Sequence, residues 1–328
     1  MLPAPGRFRT LAEGDGKFTV LQGDNAAVLS TLAQQASQPI SLVYMDPPFF
    51  TGRQHLRVVR SRDAEGHIVR ESEPAFDDRW SSLSEYLEEL HVRLVAARQL
   101  LSADGSLVLH VDPKTSHYAR VLLDEVFGPE CFASEIVWRY RRWPAKTPNY
   151  QRVHDVLLRY VRDANAKPKF NQLYEPLAPS TLATWGTKKQ LALYDKSGRR
   201  RCSSTTAEAS PGVPLGDVWD IGIVAPVARE RTGYTTQKPE ALLSRIIESL
   251  TNPGDWVLDP YLGSGTTLAV SARLGRNAIG IDDNPASIDL TCKRLADLGM
   301  TAQKRVLLAG PTIRTAPRPA RVPAARTA

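Results

Sequence analysis

The segment SLVYMDPPFF, Ser41 to Phe50, runs an apolar strand straight into Asp46-Pro47-Pro48-Phe49. Neither proline has an N–H and both fix φ, so the ladder must stop there and the chain must be stiff. A carboxylate and a rigidly held Pro47 carbonyl make two acceptors beside the aromatic face of Phe49; a stiff turn is the plainer alternative. A second constellation lies in VLDPYLGSGTTLAVSARLGRNAIGIDDNP. There a strand ends at Asp259, a loop turns through Gly263, Ser264 and Gly265, and a helix begins at Thr266. Glycines let backbone approach a ligand closely, and a helix N-terminus offers free N–H donors. One strand further on, Asp282 stands at a strand end, where a carboxylate can accept two ribose hydroxyls. That combination describes a nucleoside site at the carboxyl edge of a parallel sheet, against the alternative of an ordinary strand–turn–helix. It matches neither the dinucleotide fingerprint nor a phosphate-binding loop, which needs a Lys absent here.

The elements that must position these residues read as alternating strands and helices. A strand at Phe18–Leu21 leads through Gly23-Asp24 to a helix from Ala26, and PISLVYM is a nearly continuous apolar strand of the buried parallel type. The polar stretch Thr51–Trp80 holds a hairpin pattern, LRVVRS and HIVRES. In LSEYLEELHVRLVAARQLL, Leu83, Leu87, Leu90, Leu94 and Leu101 mark a helix face. SLVLHVD is the next strand, followed by a helix at Tyr118–Phe127 and the strands SEIVWRY and HDVLLRYV. From about Ala164 to Ala228 the periodicity dissolves into Pro, Gly, Ser and Thr. It returns with the helix KPEALLSRIIESL, the strand DWVLDP, the helix TTLAVSARLG, the strand NAIGID and the helix PASIDLTCKRLADLG. This pattern is that of an α/β sheet with helices on both faces. After Leu308 the Ala-, Pro- and Arg-rich tail without acids has the composition of a disordered segment.

At 328 residues and 42% apolar content, the chain can bury a large core. The net charge of +7 is unevenly spread: Arg139–Thr235 holds 17 Lys or Arg against 8 Asp or Glu, while the remainder holds 25 against 27. A polyanion-binding face in the middle third fits that distribution. Three scattered cysteines indicate neither a disulfide framework nor a zinc site, and no run is long enough to span a membrane, so a reducing cytoplasm is expected.

The residues LDPYLGSGTT, preceded by TTQKPEALLSRIIESLTNPGD, together with DPPF, resemble DNA amino-methyltransferases. The order of motifs, catalytic first and cofactor second with a basic region between, is similar to the circularly permuted β group of that family. The resemblance covers roughly Lys17 to Leu298. It implies a seven-stranded, mostly parallel, doubly wound sheet, a Rossmann-like methyltransferase fold whose first two strands are DWVLDP and NAIGID, with KFTVLQGD third. It implies S-adenosylmethionine as cofactor, with Asp24 accepting from the adenine amino group and Gln237 and Lys238 near the methionine end. Asp259, Gly263, Ser264, Gly265, Thr266 and Asp282 complete that set. The expected organisation is a catalytic half at 1–163, a target-recognition region at 164–232, a cofactor half at 233–308 and a tail at 309–328. Double-stranded DNA is the implied partner, with a cognate restriction endonuclease and a homodimer left open.

The implied chemistry follows from the residues. An exocyclic base amine is a poor nucleophile because its lone pair is delocalised into the ring. Acceptors at Asp46 and the Pro47 carbonyl, frozen by Pro48, localise that pair toward a sulfonium methyl, which is electrostatic preorganisation. Phe49 stacks on a base that has been flipped out of the duplex. The segment after Phe50 is expected either to close over that base or to be a surface loop. Trp138, Tyr140, Arg141, Arg142 and Trp143 suit stacking and phosphate contact, Trp138 packing at a sheet edge being the alternative. The run KSGRRR, with Lys196, Arg199, Arg200 and Arg201, is a phosphate-contact candidate. Asp46 counts against RNA or protein-glutamine methylation, where Asn is usual, and no cysteine follows a proline as a 5-methylcytosine enzyme requires. A catalytically inactive DNA-binding module is disfavoured by the intact motifs. N6 of adenine is favoured over N4 of cytosine. Tyr261 in place of Phe and Phe50 in place of a polar residue depart mildly from the family pattern.

Overall fold

The structure, a computed structural model, describes residues 2–35, 38–50, 54–62, 68–77, 80–144, 146, 148–201, 204–234 and 236–308; the expected C-terminal tail lies outside them. The chain opens with β1 (Arg7–Ala12), β2 (Phe18–Gln22), α1 (Asn25–Gln35), β3 (Ile40–Met45), β4 (Gln54–Arg62) and β5 (Ile68–Asp77). It continues through α2 (Leu83–Leu100), β6 (Leu101–Val111), α3 (Ser116–Phe127), β7 (Phe132–Arg139) and β8 (His154–Val161). The middle holds β9 (Tyr174–Glu175), α4 (Pro179–Trp185), β10 (Lys188–Leu191), β11 (Ser204–Ala209), β12 (Val213–Pro214) and β13 (Val218–Asp220). The last part is α5 (Glu240–Leu250), β14 (Trp256–Asp259), α6 (Thr266–Arg273), β15 (Asn277–Asp282), α7 (Pro285–Asp297) and β16 (Ala302–Leu308).

Ten strands form one sheet in the order β1-β16-β2-β15-β14-β3-β6-β8-β7-β13. All neighbours are parallel except β1 on β16 and β8 against both β6 and β7. All six residues of β3 are buried, as expected for a strand covered on both faces. One apolar core lies under α1, α2 and α3, and the other under α5, α6 and α7. The expected arrangement of β2 beside β15 and β15 beside β14 is present, with Ile279 opposite Thr19 and Leu258 opposite Ile279.

The sheet differs from expectation at its edges. The seven expected strands run from β2 to β7, and β16, β1 and β13 extend them. β16 is half-buried along nearly its whole length and β1 is mostly exposed, so neither carries the apolar alternation by which a strand is read from sequence. The helix face assigned through Leu101 stops at Leu100; Leu101 begins β6 opposite Ile40. In the middle region β10–β11 and β9–β12 are small separate pairs, and α4 buries no residue, yet β13 rejoins the main sheet beside β7. β4 pairs with β5 in the expected antiparallel hairpin, Val58 opposite Ser72.

This topology sets the site. Chain direction from β14 leads outward through β15 to β2 on one side, and β3 leads through β6 on the other. The crevice therefore opens at the carboxyl ends of β14 and β3, the switch point of a doubly wound sheet. Asp24, Asp282, Asp259 and Asp46 terminate or follow β2, β15, β14 and β3, four adjacent strands, and so line up along one edge.

Candidate active site

A cavity of about 450 Å³ occupies that edge, with Asp24 and Asp282 at its walls together with Asp46 and Phe49. Its size lies in the range of small-molecule sites. On one side the chain after β14 turns through Gly263 (φ +51°) and Gly265 (φ +72°), conformations that favour glycine, and Gly265 caps α6. Asp282 holds this turn: one carboxylate oxygen accepts the Gly263 N–H at 2.8 Å and the other the Asn284 N–H at 2.9 Å. Burial pushes the Asp282 carboxyl up to about 6 despite those bonds. Asp259 is buried, accepts from the Tyr261 N–H at 2.9 Å and from the Thr267 hydroxyl, and is pushed by burial to about 7. Asp24 caps α1 by accepting the Ala27 N–H at 2.9 Å, and its other oxygen lies 3.4 Å from the Arg93 guanidinium. Arg93 also donates to Asn25 at 2.6 Å, while Asn25 donates to the Pro260 carbonyl at 3.0 Å, tying α1 and α2 to the loop after β14.

On the other side Asp46 has two unlike oxygens. Oδ2 accepts from the Lys238 ammonium, which also lies 5.3 Å from the centre of the Phe49 ring. Oδ1 is buried with no hydrogen-bond partner among the described residues, 3.6 Å from Nδ1 of His110. His110 is fully buried on β6. Its Nδ1 is 2.9 Å from the Tyr44 hydroxyl and its Nε2 is 3.4 Å from Oδ2 of Asp155. Tyr140 donates to Asp155 Oδ1 at 3.0 Å, and Arg142 donates to the Tyr140 hydroxyl at 3.3 Å. Burial works to raise the Asp155 carboxyl, but the hydrogen bond and charge of His110, the Lys238 charge and the Tyr140 hydroxyl outweigh it, leaving the carboxyl below its ordinary value. Burial, reinforced by Asp155, pushes the Tyr140 hydroxyl up to about 12.

Most residues singled out from the sequence meet here. Asp24, Asp46, Pro47, Pro48, Phe49, Lys238, Asp259, Gly263, Ser264, Thr266 and Asp282 all line the cavity. Gly265 shapes the turn beneath it: a side chain there would meet Thr291 Oγ1 at 2.3 Å. Gln237 is not in the lining. Its carbonyl accepts from the Thr232 N–H and hydroxyl, each at 2.8 Å, and its amide donates to the Glu230 carbonyl at 2.6 Å, so it staples the loop that presents Tyr234 and Lys238. The aromatic–cation cluster divides. Trp138 and Tyr140 are buried and hydrogen-bonded, Trp138 to the Ile221 carbonyl at 2.8 Å, and are therefore packing and polar-network residues rather than exposed stacking faces. Arg141 and Arg142 are exposed, and Trp143 is 91% exposed. Lys196, Arg199, Arg200 and Arg201 are exposed on a turn held by Asp195, which accepts the Ser197 and Arg199 N–H groups at 2.8 and 3.0 Å. Phe50 packs against Trp80 and Tyr86 rather than entering the base side of the cavity. Sequence reasoning missed Arg93, Asn25, His110 and Asp155. The available signal was a His inside the apolar strand SLVLHVD and an Asp inside HDVLLRYV, two polar groups where core was expected. Among the described residues no cluster of His, Cys, Asp or Glu is arranged to hold a metal ion.

The doubly wound sheet and its nucleoside-type crevice define a Rossmann-like methyltransferase. Residues 40–293 match the family model described as DNA methylase (N6_N4_Mtase). The DNA adenine methyltransferase YhdJ of Escherichia coli K12 is 30% identical over 292 residues, 89% of this chain and 85% of that protein. A solved cytosine-N4-specific PvuII DNA methyltransferase aligns at TM-score 0.53 and 16% identity over 86% of this chain and 90% of that one. TTHA0409 of Thermus thermophilus, solved in complex with S-adenosyl-L-methionine, aligns at TM-score 0.50 and 19% identity over 90% of this chain and 100% of that one. The chain belongs to the N6/N4 DNA methylase family. It is a DNA amino-methyltransferase with S-adenosylmethionine as methyl donor.

Proposed function

We propose that this enzyme methylates N6 of adenine in double-stranded DNA, with the base flipped against Phe49 and its amine held by Asp46 Oδ1 and the Pro47 carbonyl. The observation that carries the reading is Asp46 itself, a residue of the same cavity as the glycine turn and Asp282, whose Oδ1 is buried and partnerless among the described residues. A buried acceptor without a donor is costly, and the amine hydrogen supplies what is missing. The donor fits the residues present: Asp282 keeps lone pairs for ribose hydroxyls, the α6 N-terminus faces the cavity through Ser264 and Thr266, and Asp24 retains acceptor capacity for an adenine amine. When bound, it supplies an electrophilic methyl on a sulfonium. Lys238 fixes the orientation of Asp46, and Gln237 acts through the loop that carries Lys238.

Adenine is chosen because a relative whose name specifies that base is similar across 85% of its length, and because Asp rather than Ser precedes the two prolines. The region 164–232 is the target-recognition region between a catalytic half (1–163) and a cofactor half (233–308). Arg141, Arg142 and the turn with Lys196 and Arg199–Arg201 contact phosphates. No helix among the described residues is long and apolar enough to cross a membrane, in keeping with work on DNA in the cytoplasm, within the nucleoid. A partner endonuclease would make the reaction the protective half of a restriction–modification pair; action as a homodimer would suit palindromic sites. The test is incubation with unmethylated DNA and labelled donor, followed by digestion to nucleosides. N6-methyladenine is the expected product and N4-methylcytosine alone overturns the choice of base. Asp46→Ala should lower transfer by about 100-fold or more.

A further inference from the structure

Asp46 must shed the proton it takes from the methylated amine, and the structure holds a group behind it that the reaction so far leaves unused. His110 is fully buried on β6 with Nδ1 3.6 Å from the free oxygen of Asp46. Its polar neighbours come from two strands. β3 supplies the Tyr44 hydroxyl at 2.9 Å, and β8 supplies Asp155 at 3.4 Å. The rings of Phe49 and Trp138, each centred 5.5 Å away, close the other sides. Beyond them stand Lys238, paired with Asp46, and Tyr140 and Arg142, in line behind Asp155. A buried imidazole wedged between two carboxylates is a proton-holding arrangement, because either carboxylate stabilises the imidazolium.

We propose that His110, oriented by Asp155, is the positioning residue that relieves Asp46 of the reaction's proton. This rests on Asp46 holding the target amine. Once the amine nitrogen has formed its bond to carbon, with the carbon–sulfur electron pair left on sulfur, it carries one proton too many. That proton passes to Asp46 Oδ1, leaving a neutral secondary amine, and then to His110 Nδ1 as the Tyr44 hydroxyl turns its hydrogen away from that nitrogen, which restores the carboxylate and forms an imidazolium beside Asp155. The charge held on Asp155 and the proton held on Tyr140 agree with this direction. A His110 that is protonated before the reaction has no capacity left and draws Oδ1 of Asp46 toward itself, so transfer slows at low pH.

The experiment is the multiple-turnover rate of methyl transfer to DNA between pH 5 and 9, with cofactor affinity measured on the same proteins. His110→Asn, which keeps an acceptor for the Tyr44 hydroxyl, should lower the plateau about 10- to 100-fold and remove the acid limb. Asp155→Asn removes the carboxylate that favours the imidazolium and should move the limb down by about one pH unit. Tyr140→Phe leaves Asp155 more basic and should move it up. A merely structural defect does not displace the limb in opposite directions. Should Asp155→Asn fail to fold, Tyr140→Phe, which deletes one hydroxyl, decides alone. Limbs that stay put or move together overturn the inference. Retained activity in Asp46→Ala overturns the catalytic reading instead.

Discussion

Gly265→Ala tests whether the turn before α6 is shaped by the conformation only glycine takes easily. Two costs are visible. The φ of +72° costs an L-residue about 1–2 kcal/mol. The added Cβ would also lie 2.3 Å from Thr291 Oγ1 and 2.9 Å from its Cβ and Cγ2. Thr291 is fully buried on α7 and its hydroxyl already donates to the Ser287 carbonyl at 2.9 Å, so it cannot swing away, and α7 must move. Overpacking of that kind costs about 1–3 kcal/mol. The expected loss is therefore about 2–5 kcal/mol, a fall in Tm of about 3–7 °C for a chain of this size. Displacement of Ser264 and Thr266 should weaken donor binding at the same time. Thermal unfolding and donor titration measure the two effects. Thr291→Ala removes the atom at 2.3 Å and should return part of the loss in the double variant, a coupling the double-mutant cycle reads directly. A Gly265→Ala protein as stable as the parent, or a second substitution whose cost simply adds, refutes the reasoning.

Three further outcomes follow from the geometry. The folded Asp259 carboxyl sits near 7 against an ordinary 3.8, because of burial, so between those values the folded state holds a proton the unfolded chain has lost. Wild-type stability in the absence of donor should fall as pH rises through about 4 to 7, Asp282 adding to the slope up to about 6, and then level off; Asp259→Asn should reduce that slope and leave the Asp282 part, gaining up to about 4 kcal/mol on the parent across the window in pH-dependent denaturation. Gln237→Ala removes three hydrogen bonds from the 230–237 loop and should cost about 2 kcal/mol in chemical unfolding. Its activity should fall further than its donor affinity, and the reverse order would make Gln237 a direct ligand. Replacing Arg199, Arg200 and Arg201 together with Ala should reduce the slope of log affinity for DNA against log salt by about 2–3; an unchanged slope removes that turn from the interface.

How far the site could be read in advance depended on the kind of signal each residue left. Asp46, Phe49, Gly263, Ser264, Thr266 and Asp282 sit at the ends of short, strongly apolar strands or at the start of a helix, so local pattern announces both their type and their placement. β1 and β16 left almost no such signal, being polar strands that owe their place to pairing with β2 and each other. Tyr140 looked like a surface aromatic because it stands among arginines, while for Trp138 packing at a sheet edge was the open alternative; the packing itself followed from β13 returning to pair with β7, which sets Trp219 opposite Trp138 across a long stretch of chain. No window of sequence contains that information.

The two motifs and their order are thus properties of the chain alone: stiff prolines end β3, and glycines with positive φ open α6, whatever surrounds them. Their meeting is a property of the sheet. Asp46 and Lys238 are 192 residues apart, and only parallel pairing of β3 with β14 brings their segments to one edge. The same holds for His110 and Asp155, which antiparallel pairing of β6 with β8 places behind Asp46. Which oxygen of Asp46 is free, and what stands behind it, is decided by long-range packing because a carboxylate's partners come from whichever strands and loops the fold lays beside it.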